Sequence, residues 1–280
     1  MTVANDPQLL QRLTDSLAPV GGVRAIVLGG SRARGIATER SDYDIGIYYL
    51  GETPLDIAAL RVAVAGLDDR GAAAEVTEIG GWGPWINGGG WLTISGTRVD
   101  LLYRDLFRVR AVIDECRAGQ VGCYYQPGHP HGFVTAIYAG EVAVCRPLAD
   151  PSGEIAGLKA LTTPYPERLR EALTRKFIWE AQFALDNAQH GRAMDDANYM
   201  HGCCFRAIAS LCQVLAAINH EYLLNEKGAA GFCHRLARRP VDFAGRVETI
   251  YRSAGAGLPA PALDVLDGLV EDISELAKTA

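Results

Sequence analysis

At 280 residues, with 49% hydrophobic and 21% charged side chains, the chain has room for two domains and a sizeable core, and its composition excludes extended disorder, collagen repeats and coiled coil. The 27 basic and 33 acidic residues leave a formal charge of −6, the wrong sign for a protein that relies on phosphate-backbone attraction to nucleic acid, although it suits a cationic small molecule. Seven cysteines, an odd set with no Cys-x-x-Cys pair, indicate reduced thiols in a cytoplasmic protein. The N-terminal MTVANDPQLLQRL lacks a signal-peptide pattern, and the longest apolar helical run, 207–218, falls short of the ~20 residues that span a bilayer.

Taken in chain order, residues 9–17 and 55–67 carry apolar side chains at helical spacing, with Pro54 placed in the first turn of the second segment. Between them, residues 23–28 form an apolar strand closed by Gly29-Gly30, and residues 43–50 form a strand rich in aromatic and branched residues. Residues 80–90 are a glycine-rich loop without basic residues, so Trp82 and Trp85 are expected to pack over a sheet edge rather than to stack on bases. Residues 91–95 and 98–103 flank a Ser-Gly-Thr turn and predict a hairpin. His129 and His131 have neither i, i+4 spacing nor a neighbouring cysteine pair and are expected in a loop, not at a zinc ion. Glu141 precedes an expected strand over 142–145 and is a weaker candidate for a catalytic base.

Past residue 150 the texture becomes helical. Leu169, Leu173, Phe177, Ala181, Ala184 and Ala188 recur on one face, and Ile178, Trp179 and Phe183 add apolar bulk elsewhere, which predicts a helix covered on more than one side. A second helix, capped by Asp195 or Asp196, with Asp195 favoured, is expected to run to about Leu224 as the central member of a bundle; Asp196 then either caps or faces an acceptor cleft. Segments 240–253 and 259–278 complete a four-helix arrangement. Arg206 and Lys176 interrupt apolar helical faces, so each must pair with an acid or face a cleft between domains, and Cys203-Cys204 reads as core packing. The expected architecture is α+β: a mixed sheet with flanking helices in residues 1–150, then a helical bundle in residues 151–280.

The stretch VLGGSRARGIATERSDYDIGIY, residues 27–48, carries the chemistry. A buried strand ends in Gly29-Gly30-Ser31, and the next opens with Asp42-x-Asp44, two carboxylates on one strand face. Such a pair is costly without a cation between its members, and two Mg²⁺ ions suit it, since they favour oxygen ligands and substrate phosphates. Asp100, in the later strand VDLLYR, supplies a third carboxylate, enough for the two-metal arrangement of phosphoryl transfer. Gly29 and Gly30 allow close backbone approach, and Ser31 adds a hydroxyl and an amide, so the turn reads as a phosphate cradle.

Gly30-Ser31, Asp42-x-Asp44 eleven residues after the serine, and a later strand Asp100 resemble the signature of the DNA polymerase beta-like nucleotidyltransferase superfamily. The helical second half resembles the small-molecule branch, the aminoglycoside and lincosamide nucleotidyltransferases. The specific motifs cover residues 20–110; the helical half matches in architecture and through Asn225-Glu226-Lys227-Gly228. The resemblance implies that Ser31 and Arg34 bind triphosphate, that Asp42 and Asp44 ligate both metals, and that Asp100 ligates one and activates the acceptor hydroxyl. Lys227 is a further candidate for the triphosphate, against the reading of a helix-terminal residue. It also implies transfer of a nucleoside monophosphate, AMP from ATP or the equivalent from another triphosphate, to a small-molecule hydroxyl such as that of an aminoglycoside-like antibiotic, without extended nucleic acid or membrane. The alternatives are a protein or RNA acceptor, as in toxin and antitoxin pairs, and a non-catalytic nucleotide-binding regulator.

Overall fold

The computed structural model describes residues 2–279. In chain order the elements are α1 (Pro7–Leu17), β1 (Val23–Leu28), the one-turn α2 (Gly30–Ala33), β2 (Tyr43–Tyr49), α3 (Ile57–Ala65), β3 (Glu75–Val76), β4 (Gly89–Ile94), β5 (Thr97–Asp105), α4 (Leu106–Arg117), β6 (Cys123–Gln126), β7 (His129–Val134), α5 (Ala136–Val144), β8 (Arg146–Ala149) and α6 (Glu154–Thr162). The helical region follows: α7 (Glu167–Ala193), α8 (Ala197–Ile218), α9 (Ala229–Cys233), α10 (Phe243–Gly255) and α11 (Pro259–Lys278). The architecture is α+β, a mixed sheet with flanking helices and then helices alone. Two compact units divide the chain. The first takes Met1–Asp114, Tyr124–Gly128 and Tyr138–Pro164; the second takes Glu115–Cys123, His129–Ile137 and Tyr165–Ala280.

In the first unit six strands run in the order β3-β4-β5-β2-β1-β8, and only β2 and β5 pair in parallel. Strand alternation separates the two faces. Tyr43, Ile45, Ile47 and Tyr49 of β2 and Val99, Leu101 and Tyr103 of β5 join Leu9, Leu13 and Leu17 of α1 and Leu60 and Val64 of α3 in one core. The other face of the same strands carries Asp44, Gly46 and Tyr48, then Asp100, Leu102 and Arg104. Asp6 caps α1 by accepting from the Gln8 and Leu9 amides, and Asp56 caps α3 by accepting from Ala59. Pro54 therefore lies before α3 and not in its first turn. Residues 142–144, expected as strand, are helical: Val142 is buried in α5, and the short strand begins at Arg146.

In the second unit α7 and α8 are the long elements. Residues 207–218 of α8 are buried without a break, which fits its expected central place. By length and composition this 22-residue helix is apolar enough to cross a membrane, and most of it is buried within the structure, as in a core helix. It ends at Ile218 rather than near Leu224, with His220 in the left-handed region just beyond. The outer face of α7 is barer than its composition predicts, with the stacked Trp179 and Phe183 rings 65% and 54% exposed. Arg206 pairs with Glu180 at 2.7 Å, and Cys204 is buried as core packing while Cys203 is half-buried.

The cap of α8 corrects the expectation for Asp195. Asp196 is the N-cap and accepts from the Tyr199 amide at 2.9 Å, whereas Asp195 precedes it at φ 57°. Asp196→Ala is expected to lower the unfolding free energy by about 1 kcal/mol. Asp195→Gly removes no cap and suits the left-handed backbone, so stability is retained; urea denaturation of the two variants separates the assignments.

Candidate active site

Parallel pairing of β2 with β5 sets Asp44 directly across from Asp100, one strand spacing of about 4.8 Å away and on the same face, opposite the core of α1 and α3, with both residues half-buried. Beside them, at the end of β1, the Gly29 amide donates to the Asp44 carbonyl at 2.7 Å. Gly30 follows at φ 58°, and a Cβ built there would lie 1.8 Å from Asp44 Oδ2. The glycine is thus required twice, by its backbone conformation and by the Asp44 carboxylate packed against it. Ser31 and Arg34, both half-buried, occupy the single turn of α2 and the residue that ends it.

Asp42 sits one rung before Asp44. Its carboxylate pairs with Arg98 Nη2 at 2.6 Å, and Arg98 also donates to the Arg40 carbonyl. Among the described residues no three of His, Cys, Asp and Glu are drawn together closely enough to hold an ion. The donor set nonetheless fits a hard divalent cation in kind: three carboxylates at one end of one sheet face, with a glycine turn beside them. Arg98 is 65% exposed on its side chain, and exposed pairs are worth at most about 1 kcal/mol, so its hold on Asp42 is weak against a divalent ion.

Arg32 has a role that its sequence context hides. It lies within the short basic segment yet is 7% exposed, with Nε and Nη2 both donating to the Ser41 carbonyl, Nε also to that of Asp42, and the guanidinium 3.7 Å above the Tyr43 ring. Three carbonyl contacts and a cation–π stack set the path of the chain into Asp42-x-Asp44. An arginine in a Gly-Ser-Arg-x-Arg turn reads as solvated on sequence alone; only burial shows its role.

Glu141 lies in α5, and both its oxygens accept from Arg104, at 2.7 and 2.8 Å. Arg104 is 2% exposed, two rungs deeper than Asp100 on the same face. Burial works against the guanidinium's charge and the Glu141 carboxylate outweighs it, so the arginine's pKa is raised. Held by both oxygens, the Glu141 carboxylate ties α5 to the sheet.

Lys227 belongs to the second unit. It is exposed in the turn before α9, and its amide donates to Asn225 Oδ1. Its neighbour Glu226 accepts from the His131 and Gly132 amides and lies 3.1 Å from His129 Nδ1. His129 and His131 are therefore not loop residues; both are buried on β7, and His131 Nε2 lies 3.1 Å from Glu180. Burial alone would raise the Glu180 carboxyl, but the His131 ring and the Arg206 guanidinium bring it below its ordinary value.

The loop 80–88 is pinned through Gln126, whose Oε1 accepts from the Trp85 and Ile86 amides while Nε2 donates to the Trp82 carbonyl. As expected, Trp82 packs on the sheet. Its ring stacks on Trp91 of β4 at 4.6 Å, and Trp85 stacks on Tyr124.

The in-register acids and the Gly-Gly-Ser turn thus lie side by side on one mixed sheet. Residues 9–116, which include every one of these glycines and acids and Ser31, match the family model of the nucleotidyltransferase domain, which supports nucleotidyl transfer as the activity. A nucleotidyltransferase-like protein from Exiguobacterium sibiricum 255-15 is similar over 97% of this chain and 77% of that chain, at 10% identity and a TM-score of 0.43, a likeness too distant to carry an argument. No curated protein matches the chain.

Two expectations follow from the packing. Gly30→Ala should cost about 2 kcal/mol of stability and displace the Asp44 carboxylate, seen as loss of turnover in the fraction that stays folded. Glu141→Gln strands the buried Arg104 and should cost about 3 kcal/mol in urea denaturation while folded enzyme keeps its turnover. Loss of turnover at unchanged stability would restore Glu141 as a base.

Proposed function

We propose that the protein transfers a nucleoside monophosphate, AMP from ATP in the first place, to a hydroxyl of a small-molecule acceptor such as an aminoglycoside-like antibiotic. The observation that carries this reading is the pair Asp44 and Asp100, held in register on one sheet face with Gly30 and Ser31 beside it. In this reading Ser31 and Arg34 hold the triphosphate, and Asp42, Asp44 and Asp100 hold divalent metal, two Mg²⁺ ions. Bound there, the metal supplies charge neutralisation to the attacking and leaving oxygens. Asp100 takes the acceptor hydroxyl's proton, the acceptor oxygen bonds to the α-phosphorus, and the α–β bridging bond breaks to release pyrophosphate. The helical half, residues 151–280, serves acceptor recognition, and Lys227 is its candidate phosphate ligand. The seven free cysteines support a reducing, cytoplasmic setting.

The roles separate by experiment. Asp44→Asn and Asp100→Asn are expected to abolish pyrophosphate release with folding intact by circular dichroism, since each removes one of two adjacent like charges. Ser31→Ala should weaken a non-hydrolysable ATP analogue by 1 to 3 kcal/mol, about the worth of a hydrogen bond to a charged group, in calorimetric titration. Near-normal turnover in both aspartate variants overturns the assignment.

A further inference from the structure

Along its outer face α7 carries a stripe of exposed residues in the order cation, ring, ring, acid. Arg175, Trp179, Phe183 and Asp186 follow one another at steps of three or four residues, so all four stand on one side of the helix. The Trp179 and Phe183 rings lie face to face, 5.2 Å apart and 7° from parallel, with 65% and 54% of each residue exposed. Tyr199 of α8 widens the stripe. Its hydroxyl donates to Asn187 Oδ1, and Asn187 Nδ2 donates to the Phe183 carbonyl, so a third ring, 44% exposed, is fixed beside the stacked pair.

Rings held by each other and by hydrogen bonds lose little freedom on association, and aromatic side chains are enriched at the buried centre of protein–protein interfaces. A fully buried aromatic side chain removes about 150 to 250 Å² from water, so the exposed halves of these three supply roughly 300 Å². That is enough for the centre of an interface of about 800 Å² per partner, with the flanking side chains of α7 and α8 as its rim.

Charge decides what fits. Arg175 and Asp186 stand on opposite sides of the aromatic pair, each about 8 Å along the axis from a midpoint between residues 180 and 181, at a rise of 1.5 Å per residue. A second α7 running antiparallel over the same midpoint sets its Asp186 against Arg175 and its Arg175 against Asp186, with rings against rings. Parallel pairing would oppose arginine to arginine and aspartate to aspartate. Asp186 Oδ1 accepts from Gln182, an exposed contact within the same helix that leaves the carboxylate its charge. The stripe is thus complementary to itself when inverted, which is the requirement of a two-fold interface. An anionic lipid surface would call for cations at both ends, and Asp186 stands at one of them.

We propose that the outer face of α7, with Tyr199 of α8, is the interface of a two-fold homodimer in which α7 packs antiparallel on its counterpart. Trp179 and Phe183 form the centre, and two Arg175–Asp186 pairs form the rim. This assembly goes beyond the nucleotidyl-transfer reading and stands or falls without it.

Sedimentation equilibrium of the full chain at low salt, from about 1 to 100 µM, reads the association directly. The wild-type chain is expected to pass from monomer to dimer mass within that range. Trp179→Ala should weaken dimerisation at least tenfold with the circular dichroism unchanged, because the ring is exposed in the monomer and its loss opens no cavity. Arg175→Asp and Asp186→Arg should each weaken it at least tenfold, since one reversal turns both symmetric pairs into repulsions. An equimolar mixture of these two variants should recover the wild-type association within threefold, one subunit supplying both acids and the other both arginines. The proposal is overturned if the wild-type chain stays monomeric throughout, if Trp179→Ala dimerises as well as wild type, or if the mixture associates no better than either variant alone. A monomer that binds vesicles of phosphatidylcholine and phosphatidylglycerol through Trp179 would give the face to a lipid surface and overturn the second copy as its occupant.

Discussion

The parallel pairing of β2 with β5 is the constraint on which the site depends. In a sheet whose other contacts are antiparallel, this pair alone brings Asp44 across from Asp100. The register is held from the opposite face, where Ile45, Ile47, Leu101 and Tyr103 are buried against α1 and α3. Because side chains alternate, a slip of one residue would turn the acids into that core and the apolar residues out of it, at a cost of several buried side chains. Hydrophobic packing on one face therefore enforces electrostatic crowding on the other.

Crowded carboxylates need support from the backbone around them. Gly30 supplies room for the Asp44 carboxylate, and Arg32 supplies direction by holding the Ser41 and Asp42 carbonyls. A guanidinium with this little exposure is stable only because its donors are matched to carbonyl acceptors and its face to the Tyr43 ring. Deeper on the same face, Arg104 and Glu141 tie α5 to the sheet, and the Tyr138 hydroxyl of α5 donates to the Trp85 carbonyl of the loop 80–88. One chain of polar contacts thus connects the floor of the sheet to the tryptophan loop.

The helical unit uses buried charge differently. Glu226 gathers His129 and the amides of His131 and Gly132, and Glu180 gathers His131 and Arg206. Glu180 is buried and Glu226 partly so, and each is compensated by several donors, the condition under which a buried charge is tolerated. These contacts give the Asn225-Glu226-Lys227-Gly228 stretch a structural purpose centred on the glutamate.

Local pattern determined much of this protein. β1, β2, the β4–β5 hairpin and the long helices are visible as period-2 and period-3.6 apolar runs, because burial of one face imposes its period on the sequence. That Gly29 and Gly30 close β1, that Asp42-x-Asp44 leads into β2 and that Asp100 lies on β5 was legible too, from the same apolar runs. What pattern missed depends on partners distant in sequence. Asp42 meets Arg98, Arg32 is buried, Glu141 meets Arg104 from a helix that reads as strand, and Trp91 stands beside Asp100. Even Asp195 and Asp196, adjacent in sequence, were told apart only by backbone dihedrals and by which carboxylate reaches the Tyr199 amide. Composition and periodicity record what each residue prefers; pairing register and burial decide which preferences meet, and those are properties of the folded chain alone.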